Sequence, residues 1–273
     1  MKQILVATDF SPSAANAMEY AMKLAVLLQL EVCAIHAIHP TEGINNSTYN
    51  AIFIEDYYRN KREALKGWVA VYKDTDEFKK VKVTTLCDVG FLKTVITKHI
   101  SNHTTELLVM GITGSTGISG IVGSNASMMV TKVKTPTLII PLESKFPEKP
   151  TITLATNYGT KLSSKDVTAL NEMIKAFNSE RMQVLYVEET SDAIHIQTGE
   201  DRIKELIPNA TLNFNYLKDS SPLSGIIDFV DKTETDILCL VKHHHNIIYR
   251  LFNRSTINQI MNLTVKAILV LHE

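Results

Sequence analysis

Five of the chain's eleven glycines fall in the sixteen residues from Met110 to Asn125 (MGITGSTGISGIVGSN). Glycine permits backbone conformations closed to other residues and lets a phosphate approach main-chain N–H groups, while Ser115, Thr116 and Ser124 add hydroxyl donors. The run follows an apolar stretch that reads as a buried strand and precedes one of helical period, so it has the place and composition of a phosphate cradle. A plain surface loop is the other reading. It is not a P-loop, since no Gly-Lys-Ser/Thr follows the glycines, and it lacks the Gly-x-Gly-x-x-Gly spacing of a dinucleotide fingerprint. A second candidate is Asp9, in the segment Ala7-Thr8-Asp9-Phe10-Ser11 directly after the first apolar run. Its carboxylate can accept hydrogen bonds from an adenine or a ribose, or it can cap the helix that begins near Pro12.

The run His243-His244-His245 invites a metal reading, but adjacent histidines do not share one face of a strand or helix, and no Cys, Asp or Glu stands at usual ligand spacing. With Lys242, Arg250 and Arg254 it reads either as a modest anion- or partner-binding surface or as solvated loop. No nucleophile constellation stands out: Ser11 and Ser124 have no His base identifiable by sequence, and nothing matches Gly-x-Ser-x-Gly. The expectation is a binding protein rather than an enzyme, with no catalytic and no metal-binding residues. Met110, Met128 and Met129 read as core. Cys33, Cys87 and Cys239 are odd in number and mostly set among apolar residues, as buried free thiols of a reducing compartment would be.

These groups must be positioned by a scaffold, and strand-like runs alternating with segments of helical period point to a parallel sheet covered by helices. Ile4–Thr8 reads as a strand. Ser11-Pro12-Ser13 then supplies an N-cap and a proline at the first helical position. Ala17, Met18, Tyr20, Ala21, Leu24, Ala25 and Leu28 recur at three- and four-residue spacing as one apolar helical face. A strand is predicted over Val32–Ile38, a polar loop over Pro40–Asn50 and a helix over Ile52–Tyr72. Strand Val81–Leu86, helix Phe91–Ile100, strand Glu106–Met110, helix Asn125–Val133 and strand Pro136–Ile140 complete the unit. In an open parallel sheet the ligand lies outside the carboxyl ends of the strands where strand order reverses, which is where the Asp9 turn and the glycine run should meet.

Glu143–Pro150, charged and carrying two prolines, reads as a linker. Thr151–Thr156 then repeats the first strand, with Asn157 where Asp9 stood. Leu107–Met110 corresponds to Ile237–Leu240 and Leu138–Ile140 to Ile268–Val270, both at an offset of 130, whereas Asp9 and Asn157 are 148 apart. The chain is therefore read as a tandem repeat of one unit, the second copy 18 residues shorter in the loop and helix after its second strand. Val241, His244 and Asn253 stand opposite Gly111, Gly114 and Gly123, side chains that crowd the room a phosphate needs. The last strand, Ala267–Leu271, and its equivalent Thr137–Ile140 are apolar edges expected to cover each other by antiparallel pairing.

The 273 residues suffice for two small domains, and 45% apolar with 21% charged residues is globular composition, which excludes disorder and collagen-like repeats. A formal charge of -1 supplies no strong field toward nucleic acid or an anionic membrane. The N-terminus turns polar at Thr8-Asp9, too soon for a signal-peptide core, so the expected compartment is the cytoplasm.

The opening ILVATDFS, the strand VCAIHAI with His36 near its end, and VMGITG followed by GSN and TPTLIIP resemble universal stress proteins of the tandem type, over nearly the whole chain and most strongly in its first half. The resemblance implies two doubly wound five-stranded parallel-sheet domains of strand order 3-2-1-4-5, akin to adenine nucleotide alpha hydrolases, at residues 1–143 and 149–273. It implies ATP or a related adenine nucleotide in the first domain, with or without Mg2+, a degenerate site in the second, and a regulatory role in stress. Asp9 is assigned to the base or ribose, Ala37 to the backbone position near adenine, and Met110, Gly111 and Gly114 to the phosphate turn. Nucleotide-binding members carry Gly-x-x-Gly, nine residues, then Gly-Ser or Gly-Thr; here eight residues separate Gly114 from Gly123, so Gly123, Ser124 and Asn125 share the last phosphate contacts. Because the family also contains members that bind no nucleotide, an interaction protein of the same fold is the alternative. Expected partners are an adenine nucleotide and a protein, with neither nucleic acid nor membrane, and the two halves forming an internal pseudo-dimer that can in turn form a homodimer.

Overall fold

The computed structural model describes residues 2–42, 51–112, 124–156, 162–179, 181–187, 193–217, 222–242 and 265–272. The chain divides into two compact units, Met1–Gly111 and Ile112–Glu273. In the first, strands β1 (Gln3–Ala7), β2 (Glu31–Ile38), β3 (Val83–Val89) and β4 (Thr105–Ile112) alternate with helices α1 (Pro12–Leu28), α2 (Ala51–Lys73) and α3 (Leu92–Asn102). They pair in parallel in the order β3-β2-β1-β4, so strand order reverses between β1 and β4. Helix α1 begins as its residues dictate: Ser11 Oγ accepts from the Ala14 N–H at 3.2 Å, and Pro12 opens the helix. The predicted apolar face is buried from Ala17 through Ala25, joined by Met22, and Gln29 ends the helix in the left-handed region at φ 54°.

In the second unit, helices α4 (Ser124–Lys132), α5 (Thr168–Ala176), α6 (Ala193–Leu206) and α7 (Pro222–Lys232) accompany strands β5 (Thr137–Pro141), β6 (Ile152–Thr156), β7 (Arg181–Val187), β8 (Thr211–Leu217), β9 (Ile237–Lys242) and β10 (Ala267–His272). The parallel order β8-β7-β6-β9-β10 is the predicted 3-2-1-4-5 with all five strands present, and β4 and β9 stand at the predicted offset, as do β5 and β10. The shortening also falls where expected: 44 residues separate β2 from β3, but 23 separate β7 from β8. Strand β5 lies in the second unit, where it pairs antiparallel with β10 through Ile139–Ile268, Leu138–Leu269 and Thr137–Val270. The two apolar edges thus cover each other, as their composition demands. The linker is anchored rather than merely solvated, because Phe146 packs on Phe177 at 5.5 Å between ring centroids and Ser144 is buried.

All three cysteines are free; Cys33 and Cys239 are buried, whereas Cys87 is only half-buried, against the expectation that all would be core. Among the described residues no helix is long and apolar enough to cross a membrane. Predicted Pro40–Asn50 loop residues 43–50 lie outside the described residues.

The amino end of the first sheet carries a titratable device. Gln3 Nε2 donates to His99 Nε2 at 2.7 Å, which fixes His99 as a neutral ring protonated on Nδ1, and His103 stacks on it with centroids 4.2 Å apart. Burial, and secondarily the neighbouring His103, hold the His99 pKa below its ordinary value. The unfolded chain therefore takes up a proton first on acidification, so the stability contributed by neutral His99 is complete above the ordinary histidine range near pH 6.5 and is lost as pH falls through the lower folded value. The expected result is a fall in unfolding midpoint between pH 7 and pH 5 that His99→Gln reduces; an equal fall in both proteins would remove His99 as its source.

Candidate functional site

Strands β1, β2 and β4 bring their carboxyl ends together because Ala7 is in register with both Ile35 and Met110. Ala37 lies two residues beyond Ile35, and Gly111 one beyond Met110, so the Asp9 turn, Ala37 and Gly111 share one end of the sheet at the reversal of strand order. Asp9 is exposed there. It does not cap α1, a task that falls to Ser11; instead Asp9 Oδ1 accepts from the Ser11 N–H at 3.0 Å in an Asx turn, and Oδ2 has no partner among the described residues. A carboxylate oxygen open to solvent beside a strand-order reversal can accept hydrogen bonds from a hydroxyl or amine of a bound ligand.

Gly111 is half-buried at the end of β4, and a Cβ built on it would stand 2.1 Å from the Ser13 carbonyl oxygen and 2.8 Å from Ala14 N. Its backbone is not in the left-handed region, so the need for glycine here is the close approach of β4 to the first turn of α1. Met110 is buried and packs as core, as do Met129 and, partly, Met128. Asn125 is exposed in the first turn of α4, which Ser124 opens. Gly114, Gly123, the hydroxyls of Ser115 and Thr116, and in the second repeat Asn157, His244, Asn253 and the rest of the histidine run lie outside the described residues. Val241, opposite Gly111, is fully buried in β9. Among the described residues no group of three His, Cys, Asp or Glu could hold a metal ion.

Three further side chains meet at the Asp9 turn. His36 is buried on β2, and its Nδ1 lies 2.8 Å from the Thr8 carbonyl oxygen. Phe10 adopts φ 65°, unusual for a residue with a side chain, and lays its ring 4.6 Å from that of His36 and 6.0 Å, edge-on, from Trp68 of α2. Trp68 in turn packs on Tyr72, whose hydroxyl donates to the Ala15 carbonyl of α1 at 3.2 Å. The sequence held two signals for this cluster: a lone imidazole in the apolar run VCAIHAI and the chain's single tryptophan in α2. Next to it, beyond β2 and β3, His39 meets exposed Phe91 edge-on at 5.1 Å. Glu42 resists its partial burial: the His39 N–H, Tyr57 hydroxyl and Lys61 ammonium hold its carboxyl below the usual range.

Residues 1–141 match the universal stress protein family. A universal stress protein from Archaeoglobus fulgidus has a similar structure, with a TM-score of 0.72 at 15% identity over 98% of this chain and 97% of its own. A functionally unknown protein from Pseudomonas aeruginosa gives 0.58 at 12% identity over 99% of this chain and 92% of its own. At such identities the likeness is one of fold, and it extends through both units. No curated protein matches the chain.

Proposed function

Because the chain belongs to the universal stress protein family, we propose that it is a tandem member, with domains at residues 1–143 and 149–273, whose first domain binds ATP or a related adenine nucleotide and acts in a stress response through its bound state. The observation that carries this reading is Asp9: an exposed carboxylate with one oxygen unengaged among the described residues, held by an Asx turn at the reversal of strand order. In this reading Asp9 holds the base or ribose, the Ala37 backbone flanks the adenine, and Met110, Gly111, Gly114, Gly123, Ser124 and Asn125 form the phosphate turn. Burial of Met110 limits its part to its backbone. The second domain takes a structural and signalling role, and the protein a binding role in the cytoplasm rather than a catalytic one.

Trp68, the only tryptophan, lies one ring away from the Asp9 turn and serves as its reporter. Titration with ATP, alone and with Mg2+, is expected to release heat and change Trp68 fluorescence. Asp9→Ala should weaken binding roughly tenfold or more, the scale of a hydrogen bond to a charged group. Absence of binding at millimolar ATP would leave the interaction protein of the same fold. That second reading draws on Gly111, whose lack of a side chain is already required by its contact with Ser13 and needs no phosphate to explain it.

A further inference from the structure

We propose that His36 is the positioning residue of the Asp9 turn, tying the two residues that flank Asp9 to strand β2 so that Asp9 and Ala37 are held as one unit. This rests on the reading of Asp9 as a ligand-binding group. A carbonyl oxygen can only accept, so the 2.8 Å contact to Thr8 makes His36 Nδ1 the donor and leaves Nε2 as the ring's second polar atom. That Nε2 is buried and has no hydrogen-bond partner among the described residues. Among the described residues the ring's polar contact therefore lies on its other side.

On that side the ring touches both neighbours of Asp9. Thr8 closes the strand ladder with its N–H on the Ile35 carbonyl at 2.9 Å, and its own carbonyl takes the imidazole proton. Phe10, on the far side of Asp9, is in the left-handed region, which costs a residue with a side chain roughly 1–2 kcal/mol. Such a conformation persists only where its surroundings over-determine it. Here the Phe10 ring rests on His36 and Trp68, and the Phe10 N–H donates to Thr8 Oγ1 at 3.0 Å. The left-handed residue turns the chain so that the Ser11 N–H meets Asp9 Oδ1, the bond that orients the carboxylate. His36 is also the residue before Ala37, so one imidazole joins the two strand ends that the ligand would bridge.

The test compares His36→Asn, whose amide nitrogen stands near the place of Nδ1 and can still donate to Thr8, with His36→Gln and His36→Leu, which lose that donor. Hydrogen exchange of the ligand-free protein is followed at the Phe10 and Ser11 amides and at the core amides of β1. Expected is about tenfold faster exchange at Phe10 and Ser11 in the Gln and Leu variants, with β1 core amides changing far less, and rescue to within about threefold of wild type by Asn. Uniform acceleration at turn and core, no acceleration at the turn, or failure of Asn to rescue would each overturn the proposal, and the Gln variant keeps it testable if Leu does not fold. With ATP as probe, the Gln and Leu variants should bind about tenfold more weakly and Asn near wild type. If wild type binds no ATP, the nucleotide reading fails while the exchange comparison still decides the role of His36.

Discussion

Gly111→Ala is expected to destabilise the protein by about 3 kcal/mol or more, although it adds a single methyl group. The new Cβ would fall 2.1 Å from the Ser13 carbonyl oxygen and 2.3 Å from its carbon, distances at which something must move. Neither side of the contact gives easily. Ser13 and Ala14 are buried in the first turn of α1, where Ser11 Oγ accepts from Ala14 N and lies 3.0 Å from Ser13 Oγ. On the other side, Met110 just before Gly111 is held in register with Ala7 of β1. The clash is with backbone, so no smaller side chain at position 13 relieves it, and interiors packed at crystal density have no slack to absorb it. For a domain of this size the cost corresponds to a fall in Tm of roughly 10 °C, read by thermal denaturation without any nucleotide. Wild-type stability in Gly111→Ala would show that β4 does not approach α1 this closely. Measured in the absence of ligand, the loss also separates the architectural need for glycine from any role in holding phosphate.

The residues that fix the elements were legible because their causes are local. Ser11-Pro12 announced the start of α1, the alternation of apolar runs gave the parallel sheet, and an unbroken 130-residue offset placed β9 and β10 as copies of β4 and β5. Even the edge pairing could be argued, since Ala267–Leu271 and Thr137–Ile140 are too apolar to be left open. What could not be read arises from contacts between residues far apart in the chain. Gly111 is close to Ser13 across 98 positions, and His36 reaches the Thr8 carbonyl across 28. A glycine-rich composition explains Gly111 by phosphate just as readily as by packing, and only the 2.1 Å approach distinguishes them. The left-handed Phe10 was hidden for another reason: sequence rules assign that conformation to Gly or Asn, and an aromatic residue adopts it here because two rings receive its side chain.

A chain ending at Lys266, and so lacking β10, is expected to lose the fold of the second unit and to associate rather than persist as a monomer. Ala267, Ile268, Leu269, Val270 and Leu271 are each at most 3% exposed. Burial of the four large side chains among them contributes about 1.5–3 kcal/mol apiece, or roughly 6–12 kcal/mol together, which is comparable to the whole stability of a typical domain. The loss also opens two strands at once. Strand β10 pairs with β9 in parallel along its length and with β5 antiparallel, so its removal bares the backbone groups of both, beside Leu138, Ile139 and Ile140 on β5, which are fully buried in the intact chain. Unpaired apolar edges of this kind template pairing with other chains. Size-exclusion chromatography with light scattering should find oligomers or aggregate, and circular dichroism a loss of cooperative unfolding. The fragment 1–145 carries the same bare β5 edge and should likewise dimerise or aggregate, with separately made 149–273 reversing it by restoring β10. A truncated chain that stays monomeric with wild-type Tm would mean that the β5–β10 pairing contributes little to holding the second unit together.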